Sequence, residues 1–256
     1  MQKLFLVIIL VLLVSCEDFF DLEILGNGRM QSTEVSLQSF DKIELSDNFV
    51  VEIYQADKES LWLEADENLI NYISYEVDND VLTFEVKDNK VLVPQNQILI
   101  KLYVVYIESI DISGTGQVSV YGLKTDKLNV IMSSGTVLEA DSIDVGEFYY
   151  ESNGSTNASI DGMLSSVVLR QVGSGEIDIS GFGEYISISQ EGSGLVNAIN
   201  FVVQNADVNL IGSGLIYCNS ESTLNVTVEG TGRVFYKGNP TITKNLTDPS
   251  CLIQQN

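Results

Sequence analysis

The residues best placed for chemistry are Glu176 and Asp178, two carboxylates one strand period apart, with Asn157 and Asn197 at matching places before and after them. The reaction such a pair could perform is glycoside hydrolysis, which needs an acid and a base or nucleophile about 5 to 10 Å apart. Arg170, in Leu169-Arg170-Gln171, is the nearby cation. Yet Asp178 lies between Ile177 and Ile179, so alternation turns it outward, where a solvated face is the plain reading and one Arg beside one carboxylate is a weak ion pair. The chain contains no histidine, which excludes His-based triads and His metal sites. Gly-Ser-Gly triplets elsewhere are not nucleophile elbows without a base in reach, and no Gly-Lys-Ser/Thr follows to make a phosphate loop. Asp and Glu are abundant enough to gather calcium, but neither an Asp-x-Asp-x-Asp-Gly loop nor a Gly-Gly-x-Gly-x-Asp repeat is present. No catalytic, cofactor-binding or metal-binding residue is therefore assigned, and a non-enzymatic protein is expected.

What would hold those side chains is a repeat. The triplets Gly114-Thr115-Gly116, Ser134-Gly135-Thr136, Gly154-Ser155-Thr156, Gly173-Ser174-Gly175, Gly192-Ser193-Gly194, Gly212-Ser213-Gly214 and Gly230-Thr231-Gly232 are spaced 20, 20, 19, 19, 20 and 18 residues apart. A fixed period in this range means stacked repeats. Four residues before each triplet stands an apolar residue in most copies, such as Ile110, Val130, Val208 and Val226. Two before stand Ile112, Met132, Leu210 and Val228, with Ser152, Gln171 and Gln190 as deviations. Four and six after stand apolar or small residues throughout, from Val118 and Val120 to Val234 and Tyr236. Nine after, Leu123, Ile143, Met163, Phe182 and Phe201 suggest a third inward residue. Alternation by two marks strands with one buried face. The expected fold is all-β: a right-handed parallel β-helix of about seven turns over residues 108–246, spanning on the order of 34 Å at 4.8 Å per turn. An antiparallel sandwich is the weaker alternative, because sandwich strands rarely keep one period with a matching apolar ladder. Gly114, Gly116, Gly173, Gly175, Gly192, Gly194, Gly212, Gly214, Gly230 and Gly232 are the expected corner residues, needed where φ must be positive.

Residues 34–107 alternate as well, at Ile43/Leu45, Val51/Ile53, Leu61/Leu63, Leu82/Phe84 and Ile98 to Val104, but lack the triplet. They are expected to form an all-β portion capping the open end of the stack. Asp78-Asn79-Asp80 reads as a turn and Glu67-Asn68-Leu69-Ile70 as a single helical turn. Residues 247–256 are expected to be a tail.

At the start, Lys3 precedes an unbroken apolar run from residue 4 to 14, too short to span a bilayer. Leu13-Val14-Ser15-Cys16 resembles the lipobox of bacterial lipoproteins. The resemblance implies cleavage between Ser15 and Cys16, acylation of Cys16, a signal peptide over residues 1–15 and a tether over 16–33; an ordinary secretory signal is the alternative. Glu17, Asp18 and Asp21 resemble the surface-export signal of some Gram-negative lipoproteins. The net charge of −23, with arginine only at 29, 170 and 233, disfavours nucleic acid. The expected partners are a membrane, through the lipid, and a surface glycan or protein; Tyr149, Tyr185 and Tyr217 are the outward tyrosines offered as sugar contacts. Cys218 falls on the inward ladder and Cys251 in the tail, and export permits but does not require their pairing.

Together, Phe40-Asp41-Lys42-Ile43, Asn68-Leu69-Ile70, the Gly-Ser-Gly ladder and the closing run from Tyr236 through Gly238-Asn239-Pro240 to Lys244 resemble the DUF2807 family, the auto-transporter adhesin head GIN domain. The resemblance covers residues 33 to 246 and implies a β-helix-like domain, often on exported lipoproteins, with no family catalytic residues to transfer. The second and third triplets depart from its pattern in lacking the second glycine. A polysaccharide-degrading enzyme and a purely structural envelope component are the alternative readings.

Overall fold

The computed structural model describes residues 23–255, so Ser15, Cys16 and the first part of the tether lie outside the described residues. Among the described residues there are strands and short 3-10 turns but no α-helix. Successive repeats pair in parallel and in register, which makes the chain a β-solenoid of about seven coils. One inward column runs Ile43, Ile110, Val130, Tyr150, Leu169, Ile188, Val208, Val226. Facing it runs Val51, Val118, Leu138, Ala158, Ile177, Val196, Ile216, Val234. All sixteen of these side chains are buried. A fully buried Val, Leu, Ile or Phe contributes about 1.5–3 kcal/mol, so the two columns carry the stack against the entropy of ordering its corners.

The triplets are where one sheet turns into the next, and their backbones are bonded to one another. Ser174 N donates to Gly154 O at 3.1 Å, Ser193 N to Gly173 O at 3.0 Å and Ser213 N to Gly192 O at 2.9 Å. Positive φ falls on the first glycine of the triplet, at Gly173 (131°), Gly192 (128°), Gly212 (120°) and Gly230 (120°), and also at Gly154 (107°). It does not fall on Gly114, nor on the third glycines Gly116, Gly175, Gly194, Gly214 and Gly232. This corrects the expectation of positive φ across the triplet. The third glycine is needed for space: a Cβ on Gly194 would lie 2.5 Å from Gln171 Oε1, one on Gly214 2.8 Å from Gln190 Cδ, and one on Gly232 2.6 Å from Leu210 Cδ2. Gln171, Gln190 and Leu210, each two before its triplet, lean into the room left by the next coil's glycine.

Three residues at this place, two before a triplet, are polar. Ser152, Gln171 and Gln190 occupy successive coils of one column and are 1%, 1% and 0% exposed. Gln190 Nε2 donates to Gln171 Oε1 at 2.8 Å. The remaining atoms, Ser152 Oγ, Gln171 Nε2 and Gln190 Oε1, have no hydrogen-bond partner among the described residues.

Residues 34–107 do more than cap. Lys42–Leu45 and Val50–Gln55 pair in parallel with Ser109–Ile112 and Gln117–Tyr121, so they continue the solenoid without a triplet. Val81–Val86 and Leu99–Val104 lie on the far side of that coil, again parallel. The chain thus lays down the second level before the first. Closure comes from antiparallel strands: Ser60–Asp66 joins Leu99–Val104 and Met30–Ser36, and Ile73–Asp78 joins Val81–Val86. Asn79 and Asp80, at φ 51° and 65°, turn that last hairpin. At the opposite end Leu252–Gln254 pairs in parallel with Val234, Phe235 and Tyr236, so the tail ends in a further rung. Lys244 and Gln254 stand there in register with inward Val226 and Tyr236. A charge and an amide in inward places blunt the last strand edges against pairing with another chain. Among the described residues Cys218 and Cys251 are buried and not bridged to each other, and burial pushes the Cys218 thiol up to about 12.

Asp66 locks the cap to the solenoid. Its Oδ2 accepts from the backbone N of Gln95 (2.7 Å) and Asn96 (3.3 Å), and its Oδ1 from Asn96 Nδ2 (2.6 Å). Desolvation would raise this carboxyl, but the bonds from Asn96 and Gln95 outweigh it and hold it below the ordinary carboxylate value. A depressed folded pKa gives stability that is present above the unfolded value and is lost as pH falls through the folded one. Asp66→Asn should therefore be less stable than wild type at pH 7. The gap should close below the usual carboxylate range; chemical denaturation at pH 7 and pH 3 measures both, and a pH-independent gap would refute the assignment.

Candidate functional site

Outside the core, the side chains are arranged by the same register. Asn157 pairs with Glu176, and Asp178 lies between Ser159 and Asn197. The four residues singled out in the sequence are thus brought together on one outward face. Asn197 Nδ2 donates to Asp178 Oδ1 at 2.6 Å, which makes Asp178 part of a side-chain ladder. On the other sheet, Arg170 Nη1 lies 3.7 Å from Glu151 Oε2, and the Tyr149 hydroxyl donates to the same oxygen. Tyr149 foremost, then Asn153 and Arg170, hold Glu151 below its ordinary value against desolvation. Further along, Tyr185 donates to Asp207 Oδ2 at 2.6 Å and Asn225 Nδ2 to Asp207 Oδ1 at 2.7 Å. Tyr217 stacks on Phe235 with ring centroids 4.7 Å apart. A second aromatic stack, Tyr103–Tyr54–Tyr121, stands at the capped end with centroids 5.7 and 5.1 Å apart. Stacked along the axis, these rings cover one another's faces and turn edges and hydroxyls outward.

A carboxyl pushed towards protonation is what a general acid requires. Asp111, which pairs with Glu44 across one coil, is raised by burial first and by the Glu44 charge second. The two line a shallow depression with Ser46, Thr83, Glu85 and Ser113. No group of three or more His, Cys, Asp and Glu side chains among the described residues is placed to hold a metal.

The feature that sequence reasoning missed is at the second corner. Leu123, Ile143 and Phe201 point inward as expected, but Met163 is 63% and Phe182 69% exposed. The register explains the correction: Ile143 pairs with Gly162, Gly162 with Gly181, and Gly181 with Phe201. Two glycines take the inward place, and the bulky residue after each is turned out. The backbone leaves no choice, since a Cβ on Gly162 would lie 2.1 Å from Ile143 O and one on Gly181 1.9 Å from Gly162 O. Met163, Phe182 and Val202 then form an outward apolar column. Parallel to it, two residues earlier on each coil, run Asp161, Ser180 and Asn200, where Ser180 Oγ donates to Asp161 Oδ1 at 2.6 Å. Glycine pairs at Gly162 and Gly181, one coil apart and followed by exposed apolar residues, were the available sequence signal.

Solved structures share this architecture. The chain superimposes on a "putative adhesin" from Parabacteroides distasonis ATCC 8503 with a TM-score of 0.86 at 21% identity, covering 91% of this chain and 100% of that one. A "putative adhesin" from Parabacteroides merdae ATCC 43184 gives 0.83 at 20% identity, with 91% and 99% covered. A "putative lipid binding protein" from Parabacteroides distasonis ATCC 8503 gives 0.77 at 21% identity, with 91% and 100% covered. At these identities the likeness is one of fold. No curated protein matches the chain. A family model does, over residues 39–240: the chain belongs to the DUF2807 family, described as "Putative auto-transporter adhesin, head GIN domain".

Proposed function

We propose that this protein is a lipid-anchored component of the cell envelope that acts without catalysis, presenting the sides of a rigid solenoid to a glycan or protein at the cell surface. The observation that carries this reading is the outward register. Carboxylate, amide, hydroxyl and tyrosine side chains lie in columns, tied to each other at 2.6 to 2.7 Å in Asp178–Asn197, Tyr185–Asp207–Asn225 and Asp161–Ser180. Side chains held in this way are pre-organised for a repeating ligand and lose little freedom on binding it. The family's description as an adhesin and the lipobox-like Leu13-Val14-Ser15-Cys16 support the same reading.

Attachment of cells to glycan-coated and protein-coated surfaces, with and without the gene, tests it. Loss of attachment on deletion, restored by the full-length protein, is expected. Damaged envelope integrity with normal attachment would favour a structural role instead. Turnover of any polysaccharide by the purified protein, abolished by Glu176→Gln, Asp178→Asn or Asp111→Asn, would overturn the non-enzymatic reading.

The anchor has its own test. Several acyl chains on Cys16 hold a protein at a membrane where one alone is marginal. Cys16→Ser should move the protein from the membrane fraction to the soluble fraction, and continued membrane association would contradict lipidation.

A further inference from the structure

We propose that the second corner around Phe182 is a binding subsite for a neutral sugar; this rests on the surface-binding reading above and assigns it a place and a ligand class. Phe182 is 69% exposed and Met163, one coil away, 63%. Water does not favour so much bare apolar surface on a solenoid that buries its other inward candidates at this position, Leu123, Ile143 and Phe201. The strip between the two outward columns is bare backbone at Gly162 and Gly181, which occupy the inward column. On one side stand Met163, Phe182 and Val202; on the other stand Asp161, Ser180 and Asn200.

That pairing matches the chemistry of a pyranose. A sugar ring carries an apolar C–H face and a rim of hydroxyls. An exposed aromatic face takes the first, and a carboxylate, hydroxyl and amide side by side take the second. Asp161 and Asn200 are exposed, and Asp161 Oδ1 is already polarised by the Ser180 hydroxyl at 2.6 Å. The charge selects the class of sugar. Two cations stand in register with this column, each two coils beyond one of its ends: Lys124, which bonds Asp144 Oδ2, and Lys237. With Asp161 in the site and −23 on the whole chain, uronates and sulfated sugars are repelled. A protein partner fits the site less well. A specific protein interface buries about 800 Å² per side around an apolar centre, whereas this ridge is one side chain wide with Asp144 at one end and Glu184 beside Phe182. Successive coils repeat the pairing of columns, so consecutive units of one polymer can use the same corner.

The test is direct binding of full-length protein in detergent to soluble neutral polysaccharides, namely a glucan, a mannan, a galactan and a xylan, with polygalacturonate as the anionic comparison. Saturation-transfer NMR and calorimetry provide the readout. At least one neutral polymer should bind and polygalacturonate should not. Phe182→Ala should weaken binding tenfold or more, and Asn200→Ala by a smaller factor. Glu76→Gln, exposed on the cap strand Ile73–Asp78, should leave it unchanged. Phe182 is exposed, so Phe182→Ala should melt with wild type and the loss cannot be attributed to unfolding. Neutral-polymer binding that survives Phe182→Ala would overturn the subsite and leave the surface-binding reading standing. Absence of neutral-polymer binding, or binding of polygalacturonate, would overturn the ligand class. Cell attachment to protein-coated surfaces that is lost with Phe182→Ala, in the absence of glycan binding, would assign the corner to a protein instead.

Discussion

Gly192→Ala is expected to destabilise the protein by about 3 kcal/mol, while Gly135→Ala changes stability by no more than about 0.5 kcal/mol. Both are triplet glycines, Gly192 the first of its triplet and Gly135 the second. Gly192 sits at φ 128°, and a Cβ there would lie 2.3 Å from Gly173 O. The conformation alone costs about 1–3 kcal/mol for an L side chain. The oxygen it meets is backbone and accepts from Ser193 N at 3.0 Å, so relief of the clash must pull two coils apart. Gly135 has ordinary φ and open space, with nothing within 4 Å of a built Cβ. Denaturant midpoints and melting curves measure both variants. For a domain of this size about 3 kcal/mol corresponds to roughly 6–12 °C. Equal behaviour of the two variants would refute the stacked-corner account.

The second large effect is expected inside the stack. Gln171→Leu should cost about 2 kcal/mol, and the double variant Gln171→Leu/Gln190→Leu should return to within about 1 kcal/mol of wild type. Gln190 Nε2 has Gln171 Oε1 as its partner at 2.8 Å, and Gln190 Oε1 has none. Removing Gln171 leaves a whole buried amide unpaired, a penalty of about 1–3 kcal/mol. Removing both amides deletes the need for a partner. The column already accepts leucine, since Leu210 follows Gln190 in register and packs against Gly232 just as Gln190 packs against Gly214. A double-mutant cycle by chemical denaturation measures the coupling. Strict additivity would show that the two amides act independently.

Much of the solenoid was legible in the sequence because its forces are local and repeated. Alternating apolar residues and a fixed spacing specify both the strand face and the stacking, and the columns from Ile110 to Val226 follow. Three things escaped for physical reasons. Residues 42–55 carry Asp47-Asn48-Phe49 where later coils have a triplet, so a coil built on different corner chemistry gave no periodic signal. The order of the first levels depends on which strand edge is free after folding, a non-local matter. Met163 and Phe182 kept the spacing of an inward position, but one-residue register shifts between Ala140 and Ile143 and between Asp178 and Ser180 reversed their direction. A one-residue change of register moves a side chain to the opposite face. The candidate site was legible in the same uneven way. Glu176, Asp178, Asn157 and Asn197 were rightly placed together, while Asp111, a carboxyl pushed towards protonation, owes this to burial first and to Glu44, from a segment 67 residues earlier, second.

Everything proposed for the surface depends on neighbouring coils lying one rung apart in register. Cysteine pairs measure that directly. Ser189 and Asn209 face outward on adjacent coils and are paired in register, as are Asn209 and Thr227. Ser189→Cys/Asn209→Cys should close a disulfide on mild oxidation of the native protein, because adjacent rungs lie about 4.8 Å apart and disulfides bridge Cα separations up to about 7 Å. Ser189→Cys/Thr227→Cys, two rungs apart at roughly 9.6 Å, should stay open. Closure of the second pair, or failure of the first, would contradict the columnar register on which the binding face is built.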